Sequence, residues 1–228
     1  MYENLEDSSS SAGFVDGRVG SEAQVRRSAR YWQLVCKRVI DIAASGVLLI
    51  ILFPLLVVVG VAIKITSPGP ILYRWPVVGI GGTPLRAYKF RTMVVGADKM
   101  KEQLLEKNEA NGPVFKMRND PRVTPVGRVL RKLSLDELPQ LWSVLKGDMS
   151  LVGPRPVSTH EWKEFRGWHR RKLSVQPGIV CLWHLRGQPR DFDKWVALDL
   201  EYIDNWSLRL DLKLLTFAVL YAVTGRNY

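Results

Sequence analysis

A long apolar stretch constrains this chain more than any other feature. No charged residue occurs from Ala43 to Ile63, and a helix of that length reaches about 30 Å, the thickness of the hydrocarbon core of a bilayer. Pro54 lies in the middle of the stretch, where it removes one backbone hydrogen bond and bends a helix. The stretch therefore predicts a membrane helix, which either spans the bilayer or bends at Pro54.

Basic residues flank both ends of the apolar stretch. The flanking residues are Arg26, Arg27, Arg30, Lys37 and Arg38 before it, and Lys64 and Arg74 after it. The heavier cluster before the stretch predicts a cytoplasmic N-terminus. Hydropathy alone favours a spanning helix, which would place the rest of the chain outside the cell. A re-entrant helix, bent at Pro54, would instead return the chain to the cytoplasmic face.

Composition divides the chain into three parts. Residues 1–30 are rich in Ser, Gly and charge without an apolar period, which is typical of a disordered tail. Residues 31–66 form the membrane segment, and residues 67–228 form a globular domain. The formal net charge of +11 suits anionic lipid, phosphorylated ligands or nucleic acid. The two cysteines, Cys36 and Cys181, lie far apart and predict neither a zinc site nor a disulfide framework.

The globular part carries signals for both strands and helices. A glycine-rich loop at 79–82 lies between two strand-like runs, which predicts a β-hairpin. Thr124 as a cap with Pro125 at the first position predicts a short basic helix. Residues 95–109 predict an amphipathic helix, and residues 208–223 predict another that lies either on the membrane surface or in the core. These segments together indicate a mixed α/β domain.

Adjacent carboxylates, Asp136 and Glu137, allow two interpretations. Ser134 and Glu137 match a capping box, in which their side chains satisfy free backbone amides at a helix start. Pro139 argues against that box, because with Ser134 as the cap its ring would fall past the first turn. A helix that starts at Asp136 would place Pro139 in the first turn and leave Glu137 free for another role.

The second interpretation gives these carboxylates a chemistry. An anion at a helix start is favoured, so Asp136 would stay ionised at pH 7. An ionised carboxylate can attack phosphorus without a general base, while its neighbour binds Mg²⁺ together with phosphate oxygens. Adjacent carboxylates fit a glycosidase poorly, because glycosidase carboxylates flank the sugar from separate positions.

Rigid turns fix several arginines. Arg155 lies between Pro154 and Pro156, which restrict the backbone and favour a bidentate phosphate contact. Arg122 follows Asp120-Pro121 and more simply pairs with a nearby surface carboxylate. The histidines have no nucleophile partner by spacing and are interpreted as ordinary polar residues: His160, His169 and His184.

Residues 31–228 carry an ordered series of short motifs. They are Lys37-Arg38-x-x-Asp41, the proline-interrupted apolar segment, Ser67-Pro-Gly-Pro70, Lys89-Phe-Arg-Thr-Met93, Asp120-Pro-Arg122, Ser134-Leu-Asp-Glu-Leu-Pro-Gln140, Gly147-Asp-Met-Ser150, Val152-Gly-Pro-Arg-Pro156 and Pro177-Gly178. Taken in order, these motifs resemble those of the bacterial sugar transferases, the monotopic polyprenyl-phosphate phosphoglycosyl transferases, in their short catalytic form. Each motif alone is weak, but all of them in this order are highly specific.

The resemblance implies a two-step transfer. Asp136 would attack the β-phosphate of a nucleotide-sugar, which the resemblance implies is a UDP-sugar. Polyprenyl (undecaprenyl) phosphate would then accept the sugar-phosphate from Asp136. Glu137 would hold Mg²⁺. The residues expected to bind phosphates are Lys89, Arg91, Arg131 and Arg155.

The same resemblance implies a monotopic α/β protein. Its membrane helix would be re-entrant and broken near Pro54, and interfacial amphipathic helices would hold the catalytic domain on the cytoplasmic face of the bacterial inner membrane. This expectation replaces the spanning helix that hydropathy alone favours.

Several positions depart from the family pattern. Val77 replaces the Arg of an Arg-x-Gly motif, and the region after Pro177-Gly178 differs at four further positions: Val180, Cys181, His184 and Gln188. These departures bear on the choice of sugar and leave the proposed catalytic residues unchanged.

Two rival functions follow from charge and the apolar segment. A non-enzymatic, membrane-anchored adaptor could bind anionic lipid or a protein partner, but it gives no reason for adjacent carboxylates followed by a proline-clamped arginine. Nucleic-acid binding rests on charge alone, since no recognition helix, zinc module or stacking motif is present.

Overall fold

The structure is a computed structural model that describes residues 31–187, 189 and 191–224. The predicted tail, residues 1–30, and Gln188 lie outside the described residues. The helices are α1 Tyr31–Thr66, α2 Ala97–Met100, α3 Pro125–Lys132, α4 Gln140–Lys146, α5 Thr159–Lys163, α6 Trp183–Arg186, α7 Phe192–Asp204 and α8 Leu208–Thr224. The strands are β1 Leu72–Val78, β2 Pro84–Phe90, β3 Ser150–Val152, β4 Val157–Ser158 and β5 Gly178–Val180. The mixed α/β fold predicted from the sequence is confirmed.

Helix α1 covers the apolar stretch and is, among the described residues, the one helix long and apolar enough to cross a membrane. It continues through Pro54, so the expected break does not interrupt the helical backbone. The re-entrant path of the helix stays a prediction.

The first turns of α1 are tied to the globular domain by polar contacts. Lys37 Nζ donates to the Val152 carbonyl at 2.8 Å and pairs with Asp211 at 2.6 Å. Asp41, which is buried, accepts a hydrogen bond from the amide of Leu151 at 2.9 Å. Lys37 and Asp41 thus form hydrogen bonds with the backbone of Val152 and Leu151, which gives the Lys-Arg-x-x-Asp motif a structural role.

The last turns of α1 pack on the same domain. Val59 and Ile63 are buried in one apolar cluster with Phe90 of β2 and Leu130 of α3. Both ends of the helix therefore contact one folded body.

Between its docked ends, α1 exposes a row of large apolar side chains. Ile50 is 77% exposed, and Phe53 and Val58 are 63% and 64% exposed. A contiguous apolar face of this size is unfavourable in water and marks a membrane or partner contact. The exposed face of α1 is the side of the molecule suited to lipid.

The predicted β-hairpin is confirmed. Strands β1 and β2 pair antiparallel with Val77 opposite Leu85, and β4 pairs with the other edge of β1. Gly81 and Gly82 take positive φ values in the connection, which glycine adopts without steric cost. The register places Lys89 near the end of β2, opposite Tyr73.

Strands β3 and β5 pair in parallel and bring two loops together. A Cβ atom added to Gly178 would lie 2.0 Å from the Gly153 nitrogen, so only glycine permits this approach. The Gly178 amide also donates to the Pro154 carbonyl at 2.8 Å. These contacts fix the loop that presents Arg155.

The predicted start of α3 is confirmed, whereas the predicted helix over 95–109 is wrong. Thr124 accepts a hydrogen bond from the Gly127 amide, with Pro125 at the first position of α3, as predicted. The single helix expected over 95–109 is wrong, because the segment forms α2 followed by a 3₁₀ helix, Glu102–Lys107. Only Ala97 is buried in these two elements, so little packing stabilises a longer α-helix.

The C-terminal helix α8 has a core side and an exposed side. Leu214 is fully buried in the largest apolar cluster, whereas Leu212 is 50% exposed and Val219 is 63% exposed. Of the two positions predicted for residues 208–223, the one in the core is therefore confirmed for one side of this helix.

Candidate active site

The adjacent carboxylates lie in a tight turn between α3 and α4. Residues Leu135–Glu137 form a 3₁₀ turn, and Ser134 has a left-handed backbone with φ 54° and no side-chain capping bond. The α-helix starts only at Gln140, with Pro139 in the preceding cap position. The capping box and the helix start at Asp136 are therefore both wrong. The proline ring is accommodated just before the helix rather than inside its first turns.

Glu137 is held by a charged partner from the hairpin. Lys89 Nζ lies 2.6 Å from Glu137 Oε1. Burial opposes ionisation of Glu137, but the charge and hydrogen bond of Lys89 outweigh it, with a smaller contribution from Arg155, and the pKa of Glu137 is lowered. Glu137 is therefore a carboxylate at neutral pH.

Asp136 has the opposite environment. Burial, followed by repulsion from Glu137, raises the pKa of Asp136, while attraction to Lys89 and Arg131 opposes the rise. This direction corrects the expectation that a helix start would stabilise the charged form. A carboxylate that is poorly solvated and repelled by its neighbour is a stronger nucleophile than a fully hydrated one, because less hydration is lost when it reacts.

Arg131 reaches the site from α3. Its Nε donates to Thr92 Oγ1 at 2.9 Å, and the Thr92 carbonyl accepts from the Thr124 amide at 3.0 Å. The positive charge of Arg131 acts on Asp136. The Arg131 side chain is thus oriented by a neutral hydrogen bond close to Asp136.

Arg155 reaches the site from the loop after β3. Its Nη1 lies 3.4 Å from Glu161 Oε1, and its backbone amide donates to Asp199 Oδ1 at 3.2 Å. Asp199 is also paired with Lys172 at 2.6 Å, and both side chains are buried. The charge of Arg155 acts on Glu137, so this loop faces the carboxylates.

Arg91 has a different environment from the other three cations. Its two terminal nitrogens donate to the carbonyls of Pro68 and Ser67, the second at 2.7 Å. The side chain locks the turn that follows α1. Arg91 could make the predicted phosphate contact only if its guanidinium gave up its hydrogen bonds to the carbonyls of Pro68 and Ser67.

His184, interpreted from its spacing as an ordinary polar residue and also noted as a departure from the family pattern, lies near Glu137. Its Nδ1 accepts a hydrogen bond from the Cys181 amide at 3.0 Å, and its ring stacks on Trp183 with centroids 4.2 Å apart. Burial lowers the pKa of His184, so the ring is neutral at pH 7, and it lies close enough to Glu137 for each group to affect the other's pKa. The departure of this position from the family pattern was the available signal. His184 is the described departure that faces the carboxylates.

Of the other departures, Val77 and Cys181 are buried, Val180 is half-buried in β5, and Gln188 lies outside the described residues. Val77 is fully buried in the core beside β2, and Cys181 is 1% exposed. Burial raises the pKa of the Cys181 thiol well above its ordinary value, so the thiol is unreactive.

The carboxylates fit Mg²⁺ only together with a substrate. Within the described residues no group of three or more His, Cys, Asp or Glu side chains is placed to hold a metal ion. Mg²⁺ is commonly bound through one or two carboxylates plus substrate phosphates and water, and Glu137, the expected metal ligand, supplies one carboxylate. The donor set suits a metal that arrives with phosphate.

An apolar groove runs beside the carboxylate turn. Its volume is about 900 Å³, and its walls come from α1, the hairpin and the start of α4. Phe53 and Val57 line its membrane side, and Phe90, Pro139 and Trp142 line the side next to the site. Pro139 lies three residues after Asp136, so the groove ends close to the carboxylates.

Comparison with known proteins gives a consistent result. The family model of the bacterial sugar transferases matches residues 32–225. The undecaprenyl-phosphate galactose phosphotransferase of Salmonella typhimurium is 41% identical over an alignment of 200 residues, which covers 83% of this chain and 40% of that protein. The undecaprenyl-phosphate glucose phosphotransferase of Komagataeibacter xylinus is 38% identical over 218 residues, 89% of this chain and 38% of that protein.

A shorter relative is matched over most of its length. The exopolysaccharide production protein ExoY of Rhizobium meliloti is 38% identical over 183 residues, 78% of this chain and 81% of that protein. The chain spans less than half the length of the other two relatives. With a family model matched over nearly all of residues 31–228, the chain belongs to the bacterial sugar transferase family.

Proposed function

We propose that this protein transfers a sugar 1-phosphate from a nucleotide-sugar to polyprenyl phosphate through a covalent intermediate on Asp136. The observation that carries the proposal is the arrangement of Asp136 and Glu137 among three cations, Lys89, Arg131 and Arg155, beside an apolar groove. The names of relatives that act on undecaprenyl phosphate support the acceptor, and their galactose and glucose names suggest the first donors to test.

In the first step a carboxylate oxygen of Asp136 attacks the β-phosphorus of the nucleotide-sugar. The new bond joins that oxygen to phosphorus, and the bond from phosphorus to the oxygen bridging the two phosphates breaks. The nucleoside monophosphate leaves with that bridging oxygen and its electron pair. Asp136 then carries the sugar phosphate as an acyl phosphate.

In the second step a phosphate oxygen of the polyprenyl phosphate attacks the same phosphorus. The bond to Asp136 breaks, the carboxylate is regenerated, and the product is a polyprenyl diphosphate-linked sugar. Each step makes one oxygen–phosphorus bond and breaks one, so no oxidant or further reactant is required.

The cations stabilise the charge that develops on phosphorus oxygens in both steps. Lys89 contributes a point charge with three donors, whereas Arg131 and Arg155 present planar forks that match phosphate geometry. Glu137 would hold Mg²⁺ against the diphosphate, which leaves Asp136 to act as the nucleophile. Bound there, the metal supplies charge neutralisation of the phosphate oxygens.

The lipid acceptor would approach along the apolar groove. Its Phe53 and Val57 wall is continuous with the exposed face of α1, and its other wall includes Pro139, close to Asp136. A polyprenyl chain in this groove would keep its tail in lipid while its phosphate reaches the carboxylates.

The same arrangement supports a monotopic protein on the cytoplasmic face of the inner membrane. Both ends of α1 dock on one folded domain, and a highly charged domain cannot lie on two sides of a bilayer at once. A helix that enters and leaves by the same face, with its exposed side in lipid, meets this constraint. Nucleotide-sugars are cytosolic, so that face is the cytoplasmic one.

Turnover on a donor panel tests the function. The full chain in lipid nanodiscs is given polyprenyl phosphate, Mg²⁺ and UDP-glucose, UDP-galactose or other UDP-sugars, and release of UMP and formation of glycolipid are measured. Lipid-dependent release of UMP with at least one donor is expected. Binding to anionic vesicles without turnover on any donor would overturn the proposal in favour of a membrane-anchored adaptor.

Thiol accessibility tests the topology. Single cysteines replace Gln33 and Thr66 in a background with Cys36→Ser and Cys181→Ser, and a membrane-impermeant thiol reagent is applied to intact cells. Both sites should stay unlabelled until the cells are opened. Labelling of one site alone in intact cells would establish a spanning helix.

A further inference from the structure

Lys89 lies between a carboxylate and an aromatic ring. Its Nζ is 2.6 Å from Glu137 Oε1 and 4.0 Å from the ring centroid of Trp75. Trp75 lies opposite Ala87 on the paired strand, so Trp75 and Lys89 are diagonal neighbours on one face of the hairpin. The indole also packs against the largest core cluster, which holds its ring in place.

Arg155 has the same two kinds of neighbour. Its Cζ lies 4.8 Å from the ring centroid of Trp195, and Glu161 is its carboxylate neighbour at 3.4 Å. The other oxygen of Glu161 accepts from the Ser158 amide at 2.7 Å, so this carboxylate also caps α5. Trp195 is 5% exposed and donates its Nε1 hydrogen to the Pro189 carbonyl, which fixes the plane of its ring.

We propose that Trp75 and Trp195 are positioning residues that hold Lys89 and Arg155 by their ring faces and leave the nitrogen–hydrogen groups that Glu137 and Glu161 do not engage available for the diphosphate of the donor. The inference rests on the proposed function. A ring face attracts a cation through its quadrupole, yet it neither neutralises the charge nor accepts a conventional hydrogen bond from it. A carboxylate in the same place would do both and would compete with phosphate.

The ring matters most once Glu137 is also engaged by the metal. In the proposed function Glu137 would hold Mg²⁺, and its carboxylate would then be shared between the metal and Lys89. Trp75 is then the contact that keeps the ammonium group over the site. Arg155 depends less on its carboxylate from the start, because its contact with Glu161 is long.

Binding of Mg²⁺–UDP to the full chain in nanodiscs, measured by calorimetry, tests the proposal without turnover. Trp75→Leu should raise the Kd about tenfold, which corresponds to about 1.4 kcal/mol, while Trp75→Phe, which keeps a ring face, should raise it less than threefold. Trp168→Leu serves as the matched control. Trp168 packs edge-on against His169, and its loss should leave the Kd unchanged.

A substitution that preserves shape separates electrostatics from packing. Site-specific trifluorotryptophan at position 75 or 195 has nearly the same shape but a weaker quadrupole, so it should raise the Kd several-fold with an unchanged melting temperature. An unchanged Kd in the trifluorinated proteins would overturn the proposal. The proposal would also be overturned if Trp75→Phe lost as much affinity and as much melting temperature as Trp75→Leu.

Failure of the proposed function would look different. A wild-type chain that binds Mg²⁺–UDP but transfers no sugar would refute the transfer reaction. In that case the comparison of the Kd of Trp75→Leu with that of Trp75→Phe would still test the role of the ring. A wild-type chain that does not bind Mg²⁺–UDP at all would overturn both.

Discussion

Replacement of Asp136 by Asn should affect activity and stability in opposite directions. Asp136→Asn should abolish transfer, because an amide oxygen is a poor nucleophile towards phosphorus. The same change should stabilise the fold. Burial and repulsion from Glu137 raise the pKa of Asp136, which means that the ionised carboxylate costs stability in the folded protein.

The size of the gain follows from the environment of this carboxylate. Each unit by which folding raises a pKa corresponds to about 1.4 kcal/mol of stability lost on ionisation. Asp136 is partly exposed, so solvent screens some of this effect, and we expect a gain at pH 7 of at most about 1 kcal/mol, the upper end of what exposed charge interactions contribute. For a chain of this size, 1 kcal/mol shifts the melting temperature by about 2–4 °C.

The pH dependence of the gain identifies its cause. Below about pH 3.9, the ordinary pKa of Asp, the carboxyl group is protonated in both states, so wild type and Asp136→Asn should melt alike. The difference should appear as the pH rises through the raised folded-state pKa and persist at pH 7. Calorimetry of both proteins in nanodiscs across this range measures it.

A matched control is Asp148→Asn, which removes a carboxylate paired with Lys146 outside the site and should leave transfer unchanged. Retained transfer in Asp136→Asn would refute the covalent mechanism. A lower melting temperature at pH 7, or a difference that does not change with pH, would refute the electrostatic reasoning.

Four further outcomes are expected. Glu137→Gln should lower kcat/KM at least about tenfold and raise the Mg²⁺ concentration needed for half-maximal rate, as a metal titration would show. Arg155→Lys should raise the KM for the nucleotide-sugar, because a point charge does not replace a bidentate fork; steady-state kinetics measure this. Lys172→Met should destabilise the fold by about 3–5 kcal/mol in denaturant unfolding, since it leaves Asp199 buried and unpaired. The acid limb of kcat/KM should lie above the ordinary pKa of Asp, since the pKa of Asp136 is raised, and a pH–rate profile tests that sign.

Features that depend on a few neighbouring residues could be predicted from the sequence. Thr124 caps α3, Gly147 ends α4 in a left-handed conformation, and glycines make the turn of the hairpin. In each case the required backbone conformation or hydrogen bond lies within a few residues of the signal. The same holds for the length of α1, which follows from one continuous run of apolar residues.

Features that depend on packing between distant segments could not be predicted. The left-handed Ser134 and the late start of α4 arise where two helices meet in a tight turn. The raised pKa of Asp136 reflects burial that no local pattern encodes. The motif around Arg91 predicted a phosphate contact, but in the structure the guanidinium donates to two carbonyls of the turn after α1.

Helix α1 contributes more to this protein than attachment to a membrane. Near its start, Lys37 holds the carbonyl of Val152, three residues before Arg155. Near its end, Ile63 packs against the end of β2, the strand that carries Lys89. Two of the cations proposed to bind phosphate are therefore braced by opposite ends of one helix, whose exposed middle is suited to lipid. Because a shift of either end would move one cation relative to the other, the geometry of the candidate site depends on how the helix sits in the bilayer.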